Sequence, residues 1–84
     1  MREKIDVPVS VGLYFNHKLR RTAPVRVDWE GREYRVSRIG MKHSYRRGRT
    51  LYHVFSVVAG PMFFRLVMNG DTLQWRLEEV SDGF

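Results

Sequence analysis

The stretch Val25-Arg26-Val27-Asp28-Trp29-Glu30-Gly31-Arg32-Glu33-Tyr34-Arg35-Val36 decides the fold. Val25, Val27 and Trp29 alternate with Arg26, Asp28 and Glu30, and Tyr34 and Val36 resume the alternation after Gly31. A period of two belongs to a strand with one buried face. A short polar turn containing Gly between two such runs is a hairpin signal. Beyond Val36 the phase slips, because Ile39 and Met41 are odd-numbered where Tyr34 and Val36 are even. One extra residue restores it, so a β-bulge is expected between Ser37 and Gly40. A bulge there bends the strand, as a small barrel requires.

The same period continues outward from the hairpin. Toward the N-terminus Ile5, Val7, Val9, Val11 and Leu13 alternate with Asp6, Pro8, Ser10 and Gly12. Pro8 has no N–H to give to a ladder, which places this strand at an edge or breaks it there. Asn16 to Pro24 reads as a polar, basic connection. Toward the C-terminus Lys42 to Thr50 reads as a basic loop around Gly48. Leu51 to Ala59 is apolar enough for burial on both faces, and Gly60-Pro61 is a turn. Met62, Phe64, Leu66 and Met68 form the next alternating run. Asn69-Gly70-Asp71 suits a turn with φ > 0. Leu73, Trp75 and Leu77 form the last run, with room for a helical turn over Arg76 to Val80, and Ser81 to Phe84 is a tail. Trp29, Tyr34, Phe55, Phe64 and Trp75 fall in phase with apolar neighbours and are assigned to the core. Tyr52 and Phe63 fall out of phase with it.

These segments make an all-β chain of about six antiparallel strands spaced near ten residues apart, without substantial helix. A strongly bent sheet of that size closes into a small barrel or roll, which also hides its edges. Eighty-four residues allow one domain, over 1–84, with an apolar share of 43% to build its core. No repeat, linker or low-complexity segment interrupts it. There is no cysteine, which removes disulfides and thiolate zinc sites and suits a reducing compartment. No run approaches the roughly 18 apolar residues of a membrane span. The charged start, Met1 to Lys4, leads into alternating rather than continuous apolar residues, so a cytoplasmic location without a membrane partner is expected.

Chemistry-bearing patterns are missing. The histidines His17, His43 and His53 lack metal-ligand spacing, so no metal or cofactor is expected. Nucleophile signatures such as G-x-S-x-G and Ser-x-x-Lys do not occur, nor does any phosphate-cradling glycine loop. Ser10, Ser37, Ser44, Ser56 and Ser81 have no base partner recognisable in sequence. Asp28, Glu30 and Glu33 flank a turn among arginines, where cross-strand ion pairs are the simpler role. An enzyme is therefore not expected.

Charge supplies the positive signal. The net charge is +6, but residues 17 to 49 hold eleven Lys or Arg against three acids, a local +8, and the remainder carries −2. Twelve of the fifteen cations are Arg, the side chain suited to bidentate phosphate contacts and base stacking. Lys18, Arg20 and Arg21 form one basic loop. Lys42, Arg46, Arg47 and Arg49, with Tyr45 as a stacking ring, form another. Arg32, Arg35 and Arg38 lie on or near the hairpin between them. If the hairpin's polar face joins both loops, these eleven residues line one basic groove wall that receives DNA or RNA. The alternative is a protein-interaction domain docking on a polymerase or another acidic partner, with strand addition at an open edge as one route. Both a monomer and a small homo-oligomer fit the sequence.

Several segments resemble a known family. Trp29-Glu30-Gly31-Arg32-Glu33-Tyr34-Arg35-Val36 resembles its W-x-G-R-x-Y-x-V signature. Tyr52-His53-Val54-Phe55-Ser56-Val57 is similar to the Y-x-V-x-V strand. Phe63-Phe64-Arg65-Leu66 with Leu73-Gln74-Trp75-Arg76-Leu77-Glu78-Glu79-Val80 is similar to the F-x-L … W-x-L-x-x-V ending. Together they resemble a bacterial family of small all-β domains of unknown function. Its members are free-standing, or appended to proteins similar to Y-family DNA polymerases in the SOS mutagenesis cassette. The resemblance spans about residues 25 to 80 and departs at Met41 to Arg49, where this chain is wholly basic. It implies a non-catalytic accessory role near DNA repair or replication, and it brings no catalytic residues.

Overall fold

The computed structural model describes residues 2–82. It contains seven strands and no helix among them: β1 (Arg2–Asn16), β2 (Arg21–Trp29), β3 (Arg32–Arg35), β4 (Arg38–Arg47), β5 (Thr50–Ala59), β6 (Met62–Asn69) and β7 (Trp75–Ser81). All pairings are antiparallel and join into one sheet of order β3-β2-β1-β7-β6-β5-β4. The all-β expectation holds. The helical turn expected over Arg76 to Val80 is instead strand β7, since Phe64 and Leu66 of β6 pair with Val80 and Leu77.

The connectivity forces this sheet to curl. Strands β3 and β4 are its two edges, yet only Val36 and Ser37 separate them. In a flat sheet, six inter-strand steps would hold these edges roughly 29 Å apart. Three backbone steps from Arg35 to Arg38 reach about 11 Å at most. The sheet therefore wraps until the edges meet. Val36 donates its N–H to the Val25 carbonyl of β2 (3.0 Å), and Ser37 donates to the Val58 carbonyl of β5 (2.8 Å). Tyr34 of β3 consequently rests edge-on against Phe64 of β6, with ring centroids 5.0 Å apart, and Trp29 meets the same ring at 6.0 Å. Seven strands replace the expected six because the bent strand through Ser37 is counted as two. The bulge predicted between Ser37 and Gly40 appears as a register shift between Ile39 and Met41.

The core fills the inside of the curl. Val27, Phe55, Val57, Ala59, Phe64, Leu66, Trp75, Leu77 and Val80 are buried, and Ile5, Val7, Val9, Val11, Trp29, Tyr34, Val36, Met62 and Met68 pack around them. Opposed residues of a ladder share a face, and the pairs Phe55↔Leu66, Leu66↔Leu77 and Val7↔Leu77 carry the inner face across four strands. On the outer face Val54 and Val67 oppose each other and are also buried, which bears out two-sided burial of this run.

Strand β1 explains its own proline. Arg2 to Val9 pair with β7, whereas Ser10 to Asn16 pair with β2, so Pro8 lies where β2 makes no ladder. In the β2–β3 turn Glu30 and Gly31 have φ of 50° and 74°, the primed geometry that matches strand twist. The turn after Asn69 is built otherwise than expected. Asn69 Oδ1 accepts the N–H groups of Asp71 and Thr72, and the positive φ falls on Leu73 (63°). Gly70 is required for closeness instead, since a Cβ there would lie 2.5 Å from the Leu51 carbonyl oxygen.

Candidate nucleic-acid interface

The up-and-down path sorts the turns onto two ends. The β1–β2, β4–β5 and β6–β7 turns lie at the end here called upper. The β2–β3 and β5–β6 turns lie at the lower end, with the first residues of β1 and the last of β7. At the lower end the linker through Val36 and Ser37 closes the sheet. Toward the upper end β2 continues from Pro24 back to Arg21 with no β3 residue beside it, and β4 pairs only with β5. The barrel is thus shut below and open above.

Two adjoining clefts of about 370 and 270 Å³ occupy the opening. On one wall stand Leu13 and Arg20 to Ala23, and on the other Ile39 to Lys42 with His53 and Phe55; Met68 and Trp75 form part of the floor. No carboxylate lines either cleft. Phe55 and Trp75 lie against each other at 5.5 Å, and Lys42 Nζ stands 5.4 Å from the centre of the Phe55 ring. The opening therefore presents three cations, Arg20, Arg21 and Lys42, over an aromatic floor. Such a cluster of cations without a counter-charge suits an anionic phosphate chain.

The register distributes the other predicted residues. Lys42 to Arg47 is strand, not loop, and only Gly48 and Arg49 make the turn. Thr50 starts β5. Pairing places Lys42, Ser44 and Arg46 on the inner side, opposite Phe55, His53 and Leu51. Arg38, His43, Tyr45 and Arg47 take the outer side with Val58, Val54, Tyr52 and Thr50. The connection expected over Asn16 to Pro24 shrinks to residues 17–20, with Lys18 and Arg20 in the turn and Arg21 opening β2. Tyr45 is stacked on Tyr52, rings 5.2 Å apart and 17° from parallel, which occupies one of its faces. Arg32 and Arg35 sit on β3 at the lower end, and Arg35 meets Glu33 at 3.7 Å. Arg38 begins β4 at the lower end, opposite Val58. The eleven residues do not make one continuous wall: Arg20, Arg21 and Lys42 line the clefts, Lys18, Arg46 and Arg49 lie toward the upper turns, Tyr45 and Arg47 line an outer hollow with Asp6, Arg76 and Glu78, and Arg32, Arg35 and Arg38 lie at the lower end.

Charge follows the same division. The upper end holds Lys18, Arg20, Arg21, Lys42, Arg46, Arg47 and Arg49 against one carboxylate, Asp71, which accepts a hydrogen bond from Thr50 Oγ1 (2.9 Å). The other eight cations share the rest of the molecule with the other eight carboxylates, so the excess of six lies wholly above. Ion pairs obey the division too. Arg2–Glu79, Arg26–Asp28, Arg35–Glu33, Arg65–Glu78 and Arg76–Asp6 all lie outside the upper group, and among the described residues none of the seven upper cations meets a carboxylate.

Two features escape a linear reading. Ser44 Oγ and His53 Nδ1 share a hydrogen bond of 3.1 Å beside the opening, a base partner set by register. Placing a two-residue turn at Gly48-Arg49 would have revealed it, since that turn opposes 44 to 53. A broader hollow of about 650 Å³ lies on the outer side, among Pro8, Ser10, Tyr52, Val67, Leu73 and Arg76. Its cation is committed, because Arg76 Nε binds Asp6 Oδ1 at 2.7 Å, so it offers no free charge to an anion. The described residues contain no group of three or more His, Asp or Glu side chains placed to hold a metal ion, and no helix is long and apolar enough to cross a membrane. Compared with protein-family models, curated proteins and solved structures, the chain matches none.

Proposed function

We propose that this domain is a non-catalytic accessory module that binds single-stranded nucleic acid across the open upper end of its barrel. The observation that carries the reading is the convergence of Arg20, Arg21 and Lys42 over the Phe55–Trp75 floor with no carboxylate among the lining residues. Phosphates are drawn by unpaired cations through counterion release, and stacking requires bases that are not already paired. Lining made of side chains from several strands, without a projecting helix, favours backbone and stacking contacts over base-edge readout. Weak sequence preference and strong salt dependence follow. The family resemblance adds the setting, DNA repair or replication.

A titration of a fluorescent oligothymidine by anisotropy tests this. With about five phosphates neutralised, affinity falls roughly a hundredfold between about 50 and 200 mM salt. Absence of binding at about 50 mM salt sinks the proposal.

A second reading has its own observation. Strand β4 is an edge strand exposed along nearly all its length, and an acidic protein segment could extend the sheet there. Capture of a protein partner that survives nuclease treatment, without oligonucleotide binding, would favour it.

A further inference from the structure

Above the opening stands the tip of the β1–β2 hairpin, and its composition is unusual for a surface turn. Leu13, Tyr14, Phe15 and Leu19 are 47, 59, 59 and 58% exposed. They are interleaved with Lys18, Arg20 and Arg21, and residues 7 to 27 contain no Asp or Glu. The tip is also preformed. Asn16 pairs with Arg21, Asn16 Oδ1 accepts the Leu19 N–H at 3.0 Å, and Arg20 takes φ of 52° to close the turn. Large apolar side chains held in water on an ordered hairpin mark a contact surface.

The pleat divides these side chains. Leu13 and Phe15 oppose Pro24 and Thr22, and Leu13 and Thr22 line the inner cleft. Tyr14 opposes Ala23 and stands on the other face of the ribbon. A strand lying in the cleft therefore runs along one face of the hairpin, and an aromatic ring waits on the other face.

We infer that the β1–β2 hairpin is a wedge for the junction between single- and double-stranded nucleic acid, with Tyr14 stacking on the displaced strand or the last base pair. This inference rests on the proposed binding of a single strand in the cleft. The tip's cations and lack of carboxylates fit a backbone that divides around it, as apolar wedges between bases do in proteins that unstack a duplex.

The test compares a stem with a single-stranded tail of about eight nucleotides, the same tail alone and the blunt stem, at equal salt. The tailed stem should bind about tenfold tighter than either part, the gain one stacked base supplies. Tyr14→Ser should remove that preference while leaving affinity for the tail unchanged, and Tyr14→Phe should keep it, because stacking does not use the hydroxyl. Thermal melting confirms that each variant is folded. Equal affinity for tail and tailed stem, or a preference surviving in Tyr14→Ser, overturns the wedge and leaves the cleft reading intact. No binding of any ligand overturns the cleft reading and the wedge with it. Co-sedimentation with phosphatidylglycerol vesicles, lost in Tyr14→Ser, together with no junction preference, would reassign the tip to a lipid surface.

Discussion

The two ends of this barrel are made from the same strands, yet they solve opposite problems. At the lower end the chain crosses from β2 to β5 in two residues, Trp29 and Tyr34 close over Phe64, and cations sit beside carboxylates. At the upper end the edges of β2 and β4 stay apart, the aromatic pair Phe55–Trp75 borders a cleft, and the upper strand ends and turns carry seven cations and one carboxylate. Like charges gathered without counter-charges oppose folding. Their concentration at the one open end, while the other eight cations are matched in number by eight carboxylates, separates the part that holds the fold from the part proposed to meet an anion.

Opening the lower end should have the largest effect. Phe64 is fully buried and carries both edge-on contacts. Phe64→Ala should cost about 3–5 kcal/mol in denaturant unfolding, enough to leave a domain this small partly unfolded. Oligonucleotide binding should then fall in proportion to the unfolded fraction, since the cleft exists only while the sheet is curled. Unchanged stability would show that the closure does not depend on this cluster.

Neutralising the upper end should do the reverse. The triple variant Arg20→Ala, Arg21→Ala, Lys42→Ala should lose roughly a hundredfold in affinity, with a log–log salt slope shallower by about 2 for a single strand. Its melting temperature should hold or rise, because unopposed like charges are removed. A slope equal to that of the parent would mean that these residues touch no phosphate.

The smallest effect belongs to the lower cations. Arg26 and Arg35 are paired with Asp28 and Glu33 at 3.3 and 3.7 Å at exposed positions. Arg26→Ala and Arg35→Ala should each change stability by about 0–1 kcal/mol and affinity by less than about twofold, because no net charge at the opening is altered. A loss comparable with the upper triple would erase the distinction between the ends.

Much of the lower end was legible in the sequence. The alternation around Glu30-Gly31 locates the β2–β3 hairpin, the phase slip after Val36 locates the bulge, and of the in-phase aromatics Phe55, Phe64 and Trp75 are buried while Trp29 and Tyr34 are half-buried against them. Alternation reports one-sided burial, and there its power stops. Strand β4 is exposed on both faces, so Lys42 to Arg47 show no period and read as a loop. Leu13 continues the alternation of Ile5 to Val11 yet emerges at the open mouth. The charge window from residue 17 to 49 spans the β1–β2 and β4–β5 turns but also takes in Arg26, Arg32, Arg35 and Arg38, which the meander carries to the lower end, Arg26 and Arg35 beside acids. The cleft was not legible, because Leu13, Lys42, Phe55 and Trp75 come from four strands and meet only through curling.

The upper end as the nucleic-acid-binding end is tested most directly by backbone amide NMR during titration with an oligothymidine of about eight nucleotides. Shifts should concentrate at residues 13–22, at Lys42 to Arg46 and around Phe55 and Trp75, including the Trp75 indole N–H, while Trp29 and the Glu30-Gly31 turn stay still. Shifts centred on the β2–β3 turn, or none at saturating oligonucleotide, would contradict the account.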